Sequence, residues 1–413
     1  MLALMSLSAS VLLTSCQGGD SAAGDGLKLG ILAPTTGDLS SIGQNWPAAV
    51  QLAVDTINEC GGVNEAQVSL IAEDDQTDPS AGSSAMTKLA EVDRVAGVVG
   101  SFASSVSGAA VDIAVRNKVM MVSPGSTSPV FTERAQNGEF DGYWARTAPP
   151  DTYQSQALAA LAQKQGFKNI STVAINNDYG VGFEQQFIEA FTKTGGNIVG
   201  KPVRYDPKAA TLDSEAKSAF DSKPDAIAAV LYAETGSVLL KSAFEQGLSE
   251  GVTILLTDGV YSDDFVQQVG KTADGKSIIA GALGTVPGAD GKALKQFTAL
   301  WNEKTGKELT AYVPHNWDAA MLMMLAAEAS DANTGDGIKS QILEVANAPG
   351  TEVTDACKAM ELVRNGEEIN FQGASGNVDI DENGDVVGSY DVWQVAEDGT
   401  LSVIDKVNPL IDN

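Results

Sequence analysis

Two stretches of this sequence have the residue types of an enzyme or a metal site. Gly247-Leu248-Ser249-Glu250-Gly251 fits the pattern GxSxG, and Asp258 and His315 follow in the chain order of an α/β-hydrolase triad. A nucleophile elbow needs a strand before the serine and a helix after it. Here the helical pattern GSVLLKSAFEQ runs into GLSEG and the strand TILLTD follows, so the motif reads as a helix stop. A hydrolase using Ser249 is therefore a remote alternative, and His315, just after Pro314 at a helix start, reads as structural. The second stretch, VDIDENGDVVGSY (378–390), spaces Asp379, Asp381, Asn383 and Gly384 like the first half of a calcium loop. Tyr390 stands where the twelfth position needs a bidentate Glu. The flanks are strand formers, so a hairpin turning at Asn383-Gly384 is expected instead. With a single histidine, no CxxC and no cluster of metal-ligating residues, neither a metal nor another cofactor is expected.

Hydroxyls gather in two further stretches, GSFASSVSG (100–108) and SPGSTSP (123–129), each following a predicted strand. Ser104 and Ser105 fall at a helix start, where backbone N–H groups without intrahelical partners attract an anion. One such turn is ordinary helix capping. Two on neighbouring strands suit a carboxylate. Later, NNDYGVG (176–182) brings Tyr179 to a strand end and LLTDGV (255–260) does the same for Asp258. An anion cradle in one half of the chain is thus matched by a carboxylate and an aromatic in the other.

The elements that must position these groups alternate regularly. LKLGILAP, VSLIAEDD, VAGVVGS and VMMVSPG are short apolar runs separated by helical patterns, and from about Asp151 a second series repeats the plan through STVAINN, AIAAVLYA and TILLTD. Short apolar strands between helices imply parallel sheets covered on both faces. The expected fold class is α/β: two doubly wound parallel-sheet lobes joined by three crossovers, with a ligand cleft between them. Lobe 1 is expected to hold residues 27–147 and 281–370, and lobe 2 residues 148–280 and 371–413.

Composition narrows the partners. The chain has 413 residues, 43% hydrophobic and 19% charged, with a formal charge of -28 that repels phosphate backbones and anionic membrane surfaces. No nucleic-acid partner is expected, and a monomer is. The opening MLALMSLSASVLLTSC resembles a bacterial lipoprotein signal, which makes residues 1–15 a signal peptide, Cys16 the lipid attachment and residues 16–26 a polar tether, although no Lys or Arg precedes the apolar run. Membrane contact would then be through the lipid alone. Cys60 and Cys357 remain, either bridged or as two buried thiols.

The order of GILAPTTGDLSSIGQ, INECGGVN, GVVGSFASS, MMVSPGSTSP, NNDYGVG and GASGNVDIDENGDVVGSYDVW resembles the leucine/isoleucine/valine-binding protein family, type 1 substrate-binding proteins of ABC importers, over about residues 27–400. The resemblance implies a non-enzymatic, extracytoplasmic, lipid-anchored receptor that passes a small amino acid to an ABC permease. It implies that Ser104 and Thr127 hold the ligand carboxylate, and that the Gly125 carbonyl and Asp258 hold its ammonium. Tyr179 would close over the ligand, with Tyr232 as a wall of the pocket. Ile42 stands where amino-acid binders often carry an aromatic, Asp258 is one methylene shorter than the usual Glu, and Ala103 replaces a frequent cysteine. The last departure leaves Cys60 with Cys357 as the candidate pair. Urea, short amides, organic acids or a purely sensory role are the alternatives within this fold.

Overall fold

A computed structural model describes residues 26–407; the signal-like segment 1–15, Cys16 and most of the tether lie outside the described residues. Strands β1 (Lys28–Ala33), β2 (Ser69–Asp74), β3 (Gly97–Gly100), β4 (Met120–Ser123) and β5 (Trp144–Arg146) form a parallel sheet in the order β2-β1-β3-β4-β5. β3 and β4 are buried throughout because helices cover both faces, which is why their sequences are unbroken apolar runs rather than alternating ones. The helix Trp46–Glu59 shows how sequence sets one of those covers. Trp46, Ala49, Val50, Ala53, Val54 and Ile57 recur at helical spacing and all are buried. The helix stops at Gly61-Gly62, where Gly62 has φ +79° and a Cβ would lie 1.9 Å from the Ala66 carbonyl oxygen, so only glycine fits.

The second sheet is built from β6 (Asn169–Ile175), β7 (Asn197–Ile198), β8 (Val203–Tyr205), β9 (Ala226–Val230), β10 (Thr253–Leu256) and β11 (Leu283–Pro287). A small parallel pair, β12 (Thr351–Val353) with β13 (Ile369–Phe371), precedes β14 (Tyr390–Val395) and β15 (Leu401–Val407). The sheet order is β15-β14-β11-β10-β9-β6-β7, with β8 also on β6. The strand order reverses beside β1 in the first lobe and beside β6 in the second, and at such reversals loops leave the carboxyl ends in opposite directions and open a crevice.

Two lobe boundaries and one hairpin differ from the sequence expectation. β11, expected with lobe 1, lies in the second sheet, parallel to β10 and antiparallel to β14. Its five residues are all buried and need a neighbour on each edge, which that slot supplies. Residues 371–386, expected in lobe 2, pack on lobe 1. The Ala374 and Ser375 N–H groups donate to Asp318 at 2.8 and 2.7 Å, and Asn347 exchanges two hydrogen bonds with the Ile380 backbone. Finally, the turn at Asn383-Gly384 forms, with Gly384 at φ +84°, but its arms do not extend into strands. Asp381 Oδ1 accepts from Asn383 and Asp385 N–H groups and Asp385 is drawn to Arg146, so side chains rather than a ladder satisfy this backbone. The antiparallel hairpin is β14–β15. Among the described residues no three His, Cys, Asp or Glu side chains converge on a metal-sized site.

The chain crosses between lobes after β5, after β11 and before β14, and the crossings are tied together. Buried Arg146 donates to Asp385 at 2.7 Å, to Thr132 Oγ1, and to the carbonyls of Ser126 and Ser128. Gly288 N–H donates to the Ser389 carbonyl at 2.8 Å. The apolar run AAMLMMLAA lies within the helix Val313–Ala329, buried from Val313 to Ala327 as the centre of lobe 1. No helix among the described residues is long and apolar enough to cross a membrane.

Candidate functional site

β3 and β4 deliver the two serine-rich turns to the cleft side by side. Ser126 Oγ bonds the carbonyls of Ser101 and Phe102 and the Ser107 hydroxyl, and Ser123 Oγ donates to the Ser101 carbonyl at 2.6 Å. The turns therefore form one rigid unit. A Cβ on Gly125 would sit 1.9 Å from the Phe102 ring, so this loop can run against Phe102 only with glycine there. The helix Ser104–Arg116 has Ala103 at its N-cap with no side-chain cap, so neither Ser104 nor Ser105 spends its hydroxyl on capping. Ser104 is buried and its Oγ accepts the Ser128 N–H at 3.2 Å, while Ser105 is half-buried. Thr127 Oγ1 is buried without a well-formed hydrogen bond.

Across the cleft, β6 leads into the helix Asp178–Lys193, which carries Tyr179 in its first turn. β9 ends one residue before Leu231 and Tyr232, and β10 ends at Leu256, ahead of Thr257 and Asp258. These strand ends assemble a buried cluster. Asp258 Oδ1 accepts from Tyr179 Oη at 2.8 Å and from Gln154 Nε2 at 3.1 Å, and Oδ2 accepts from Tyr312 Oη at 2.8 Å. Tyr179 also reaches Thr257 Oγ1 at 2.7 Å and stacks on Tyr232 with centroids 5.5 Å apart. Burial pushes the Asp258 carboxyl up, and its tyrosine and glutamine donors pull against that shift.

Asp151, Gln154 and Tyr312 were not singled out by the sequence. Asp151 opens the helix Asp151–Lys164; it is fully buried, neither carboxylate oxygen makes a well-formed hydrogen bond, and burial followed by the Asp258 charge raises its carboxyl well above the usual range, against the pull of the nearby Thr127 hydroxyl and the Arg146 charge. Its backbone N–H donates to the Thr127 carbonyl at 2.8 Å, which fixes it beside the second serine-rich turn. Tyr312 comes from lobe 1, at the start of the helix Val313–Ala329, and packs edge-on to Phe102 at 4.7 Å. The only available signal for it was an aromatic two residues before Pro314 in AYVPH.

The remaining sequence-selected residues fall elsewhere. Ile42 is buried in the short helix Ser40–Gly43 and lines, with Tyr261 and Ser262, a groove of about 380 Å³ at the cleft mouth. Ser249 precedes the amino end of β10 while Asp258 follows its carboxyl end, so the GxSxG stretch and Asp258 are held apart by a strand. His315 is buried in lobe 1 and burial lowers its pKa to about 3, which leaves it neutral. Cys60 and Cys357 are joined by a disulfide, Cα atoms 5.3 Å apart, fastening two helices of lobe 1.

The lobes also touch directly. Ser128 Oγ donates to the Asp178 carbonyl at 2.9 Å, Ser262 Oγ lies 3.3 Å from Ser41 Oγ, and Thr235 donates twice to Asp38. The described conformation is closed, and the cluster around Asp258 is shielded from water.

Comparison with known proteins agrees with this architecture. Residues 45–398 match the family described as receptor family ligand binding region. The Leu/Ile/Val-binding protein BraC3 of Rhizobium johnstonii is 30% identical over 282 residues, 67% of this chain and 73% of that protein. The chemotactic signal transduction system substrate-binding protein BasB of Halobacterium salinarum is 26% identical over 388 residues, covering 91% and 89%. Among solved structures, the leucine-binding protein LivK of Thermotoga maritima superposes with a TM-score of 0.77 at 26% identity, covering 93% of this chain and 99% of its own. A solute-binding protein of an ABC transporter from R. palustris, solved with 4-hydroxybenzoate, gives 0.74 at 20% identity, covering 94% and 98%. The chain belongs to the receptor ligand-binding-region family and, within it, to the type 1 periplasmic leucine/isoleucine/valine-binding proteins.

Proposed function

We propose that this protein is an extracytoplasmic receptor that captures a small amino acid between its lobes and delivers it to an ABC importer, anchored by a lipid on Cys16. The observation that carries the reading is the pair Asp151 and Asp258. Two fully buried carboxylates, Asp258 with only hydroxyl and amide donors and Asp151 with no well-formed hydrogen bond beside the Thr127 hydroxyl, are costly unless a cation joins them. A ligand ammonium is such a cation. The hydroxyls of Ser104 and Thr127, with the first-turn N–H groups of the helix Ser104–Arg116, are suited to its carboxylate. The Gly125 carbonyl is a further acceptor for the ammonium, Ser105 lies beside the cradle, Tyr179 and Tyr232 enclose the side chain, and Ile42 stands at the cleft mouth. An aromatic acid of the kind bound by the R. palustris protein brings no positive charge, so this acid pair argues against it.

A sensory role is the second reading, favoured by the likeness to BasB, whose name assigns it to chemotactic signalling. The two readings share the ligand and differ in the membrane partner. Thermal unfolding against single amino acids, urea, short amides and benzoate tests the ligand class. A midpoint rise with one group of amino acids supports the reading, and a rise with urea or benzoate alone removes it. Co-purification from membranes then separates the partners: retention of a permease supports transport, and retention of a signalling receptor supports sensing. Membrane retention that persists in Cys16→Ala rejects the lipid anchor.

A further inference from the structure

The helix Ala233–Glu245 begins with an unusual arrangement. Its N-cap is Tyr232, which makes no side-chain cap and cannot supply one, since its ring is buried against Tyr179. The N–H groups of the first turn have no partners within the helix. One of them, on Thr235, donates at 2.8 Å to Asp38 Oδ1, and the Thr235 hydroxyl donates at 2.8 Å to Asp38 Oδ2. Asp38 belongs to the other lobe, in the loop after β1 that is pinned by the Leu39 N–H on Thr77 Oγ1. Both oxygens of its carboxylate therefore bond across the cleft.

We infer that Asp38 is a closure latch, a positioning residue that caps the Tyr232-bearing helix only when the lobes meet and so sets how long the closed state lasts. The geometry connects the latch to the pocket wall. Tyr205 Oη lies 3.2 Å from Thr235 Oγ1 and accepts the Tyr232 N–H at 3.4 Å, so the latch, Tyr205 and Tyr232 form one hydrogen-bonded chain. A carboxylate at a helix N-terminus also gains from the helix dipole. Burial raises the Asp38 carboxyl and the Thr235 bonds oppose that rise, while the Glu234 charge, on the same first turn, adds to it. When the lobes part, Asp38 and the helix end both return to water, so the latch favours closure without locking it. No ligand atom is required for any of these bonds. The latch deepens the amino-acid receptor reading but does not depend on which ligand fills the site.

The test needs a reporter of closure that works without ligand. Ser41 and Ser262 face each other across the cleft mouth with hydroxyls 3.3 Å apart, so the double variant Ser41→Cys, Ser262→Cys places two sulfurs within bonding reach only when the lobes are closed. In the full-length protein, the rate of the 41–262 crosslink under mild oxidation, read by peptide mass mapping, reports the closed population. Adding Asp38→Ala is expected to slow crosslinking about fivefold in the absence of ligand, and Thr235→Val, which keeps the backbone donor, about twofold. The thermal midpoint of the ligand-free protein is expected to stay within about a degree. Unchanged crosslinking in Asp38→Ala overturns the latch. So does a midpoint drop in that variant with crosslinking unaltered in Thr235→Val, which makes Asp38 a structural residue of its own lobe. An equimolar mixture of the twenty amino acids is added last. If it fails to accelerate crosslinking while Asp38→Ala still slows it, the latch stands and the amino-acid reading falls.

Discussion

The Tyr312 hydroxyl of lobe 1 donates to Asp258 Oδ2 of lobe 2 at 2.8 Å, a bond that spans the cleft and ends on the carboxylate assigned to the ligand ammonium. Tyr312→Phe removes this donor and keeps the ring against Phe102. The bond exists only in the closed form, so its loss, about 1.5–3 kcal/mol for a donor to a charged acceptor, is expected to appear as roughly ten- to hundredfold faster ligand dissociation in stopped-flow. The ligand-free midpoint should hardly move. A slower association rate with dissociation unchanged would assign Tyr312 to ligand entry instead.

Ser104 and Thr127 are the hydroxyls proposed for the ligand carboxylate, and Thr127 Oγ1 is buried with no well-formed hydrogen bond of its own. Thr127→Ala should therefore cost the ligand one charge-assisted hydrogen bond, about 1.5–3 kcal/mol in titration calorimetry. It should cost the ligand-free fold little. Ser104→Ala is expected to weaken binding as well, and also to loosen Ser128, whose N–H it accepts at 3.2 Å. Equal affinity in both variants would move the carboxylate elsewhere.

Much of this site was legible because type 1 lobes write their cleft at strand ends. Ser104, Thr127, Tyr179, Tyr232 and Asp258 each sit within a few residues of an apolar strand, and strands are what a sequence shows most clearly. Asp151 and Tyr312 sit instead at helix starts, where an acid or an aromatic before proline has an ordinary local explanation. What makes them part of the site is contact across long separations, as in the Tyr312 to Asp258 bond. The same holds for β11. GALGTVP fits either sheet on local pattern, and only pairing with β10 and β14 decides which. Asn383-Gly384 announced a turn correctly, but hairpin arms need cross-strand partners, and here Asp381, Asn347 and Arg146 took the bonds.

Two buried acids outside the site set a pH dependence of stability. Burial, reinforced by the Asp74 charge, lifts Asp75 to about 6 against the pull of its Ser101 and Thr77 bonds. Burial likewise lifts Asp318 to about 6. An unfolded Asp titrates near pH 3.9, so the folded chain binds these protons more tightly. Their ionisation therefore works against the fold above pH 6, and stability from these groups should rise as pH falls from about 6 towards 4. In urea unfolding, Asp75→Asn should shrink the stability difference between pH 7.5 and pH 5 by on the order of 1 kcal/mol. An unaltered difference would mean that Asp75 titrates near its ordinary value when folded.

Ligand affinity should run the opposite way with acid. Asp151 and Asp258 must be ionised to hold an ammonium, and burial raises both carboxyls. Calorimetric affinity for an amino acid is expected to decline as pH is lowered, with proton uptake by the protein on ligand release. A pH-independent affinity over the range in which the fold survives would separate the acid pair from the ammonium.

The Cys60–Cys357 disulfide closes a sequence separation of 297 residues. Chain entropy alone puts its contribution at about 6 kcal/mol for so long a loop. Cys60→Ala with Cys357→Ala should lower the urea midpoint markedly while leaving ligand affinity at a permissive temperature unchanged, since both cysteines belong to lobe 1. A loss of affinity without a loss of stability would show instead that the bridge shapes the cleft.

If the buried acids hold a ligand ammonium, a matched pair of ligands that differ only in the amine separates that role from every other. Once an amino acid that raises the midpoint is found, titration calorimetry compares it with the same molecule lacking its amine, in the full-length protein and in Asp258→Asn. The expected result is binding of the amino acid alone by the native protein, with a loss on the order of a hundredfold in Asp258→Asn, the scale of removing about 2–3 kcal/mol from one charged hydrogen-bonded partner. Equal affinity for the two ligands, or an Asp258→Asn variant that binds the amino acid as the native protein does, would contradict it.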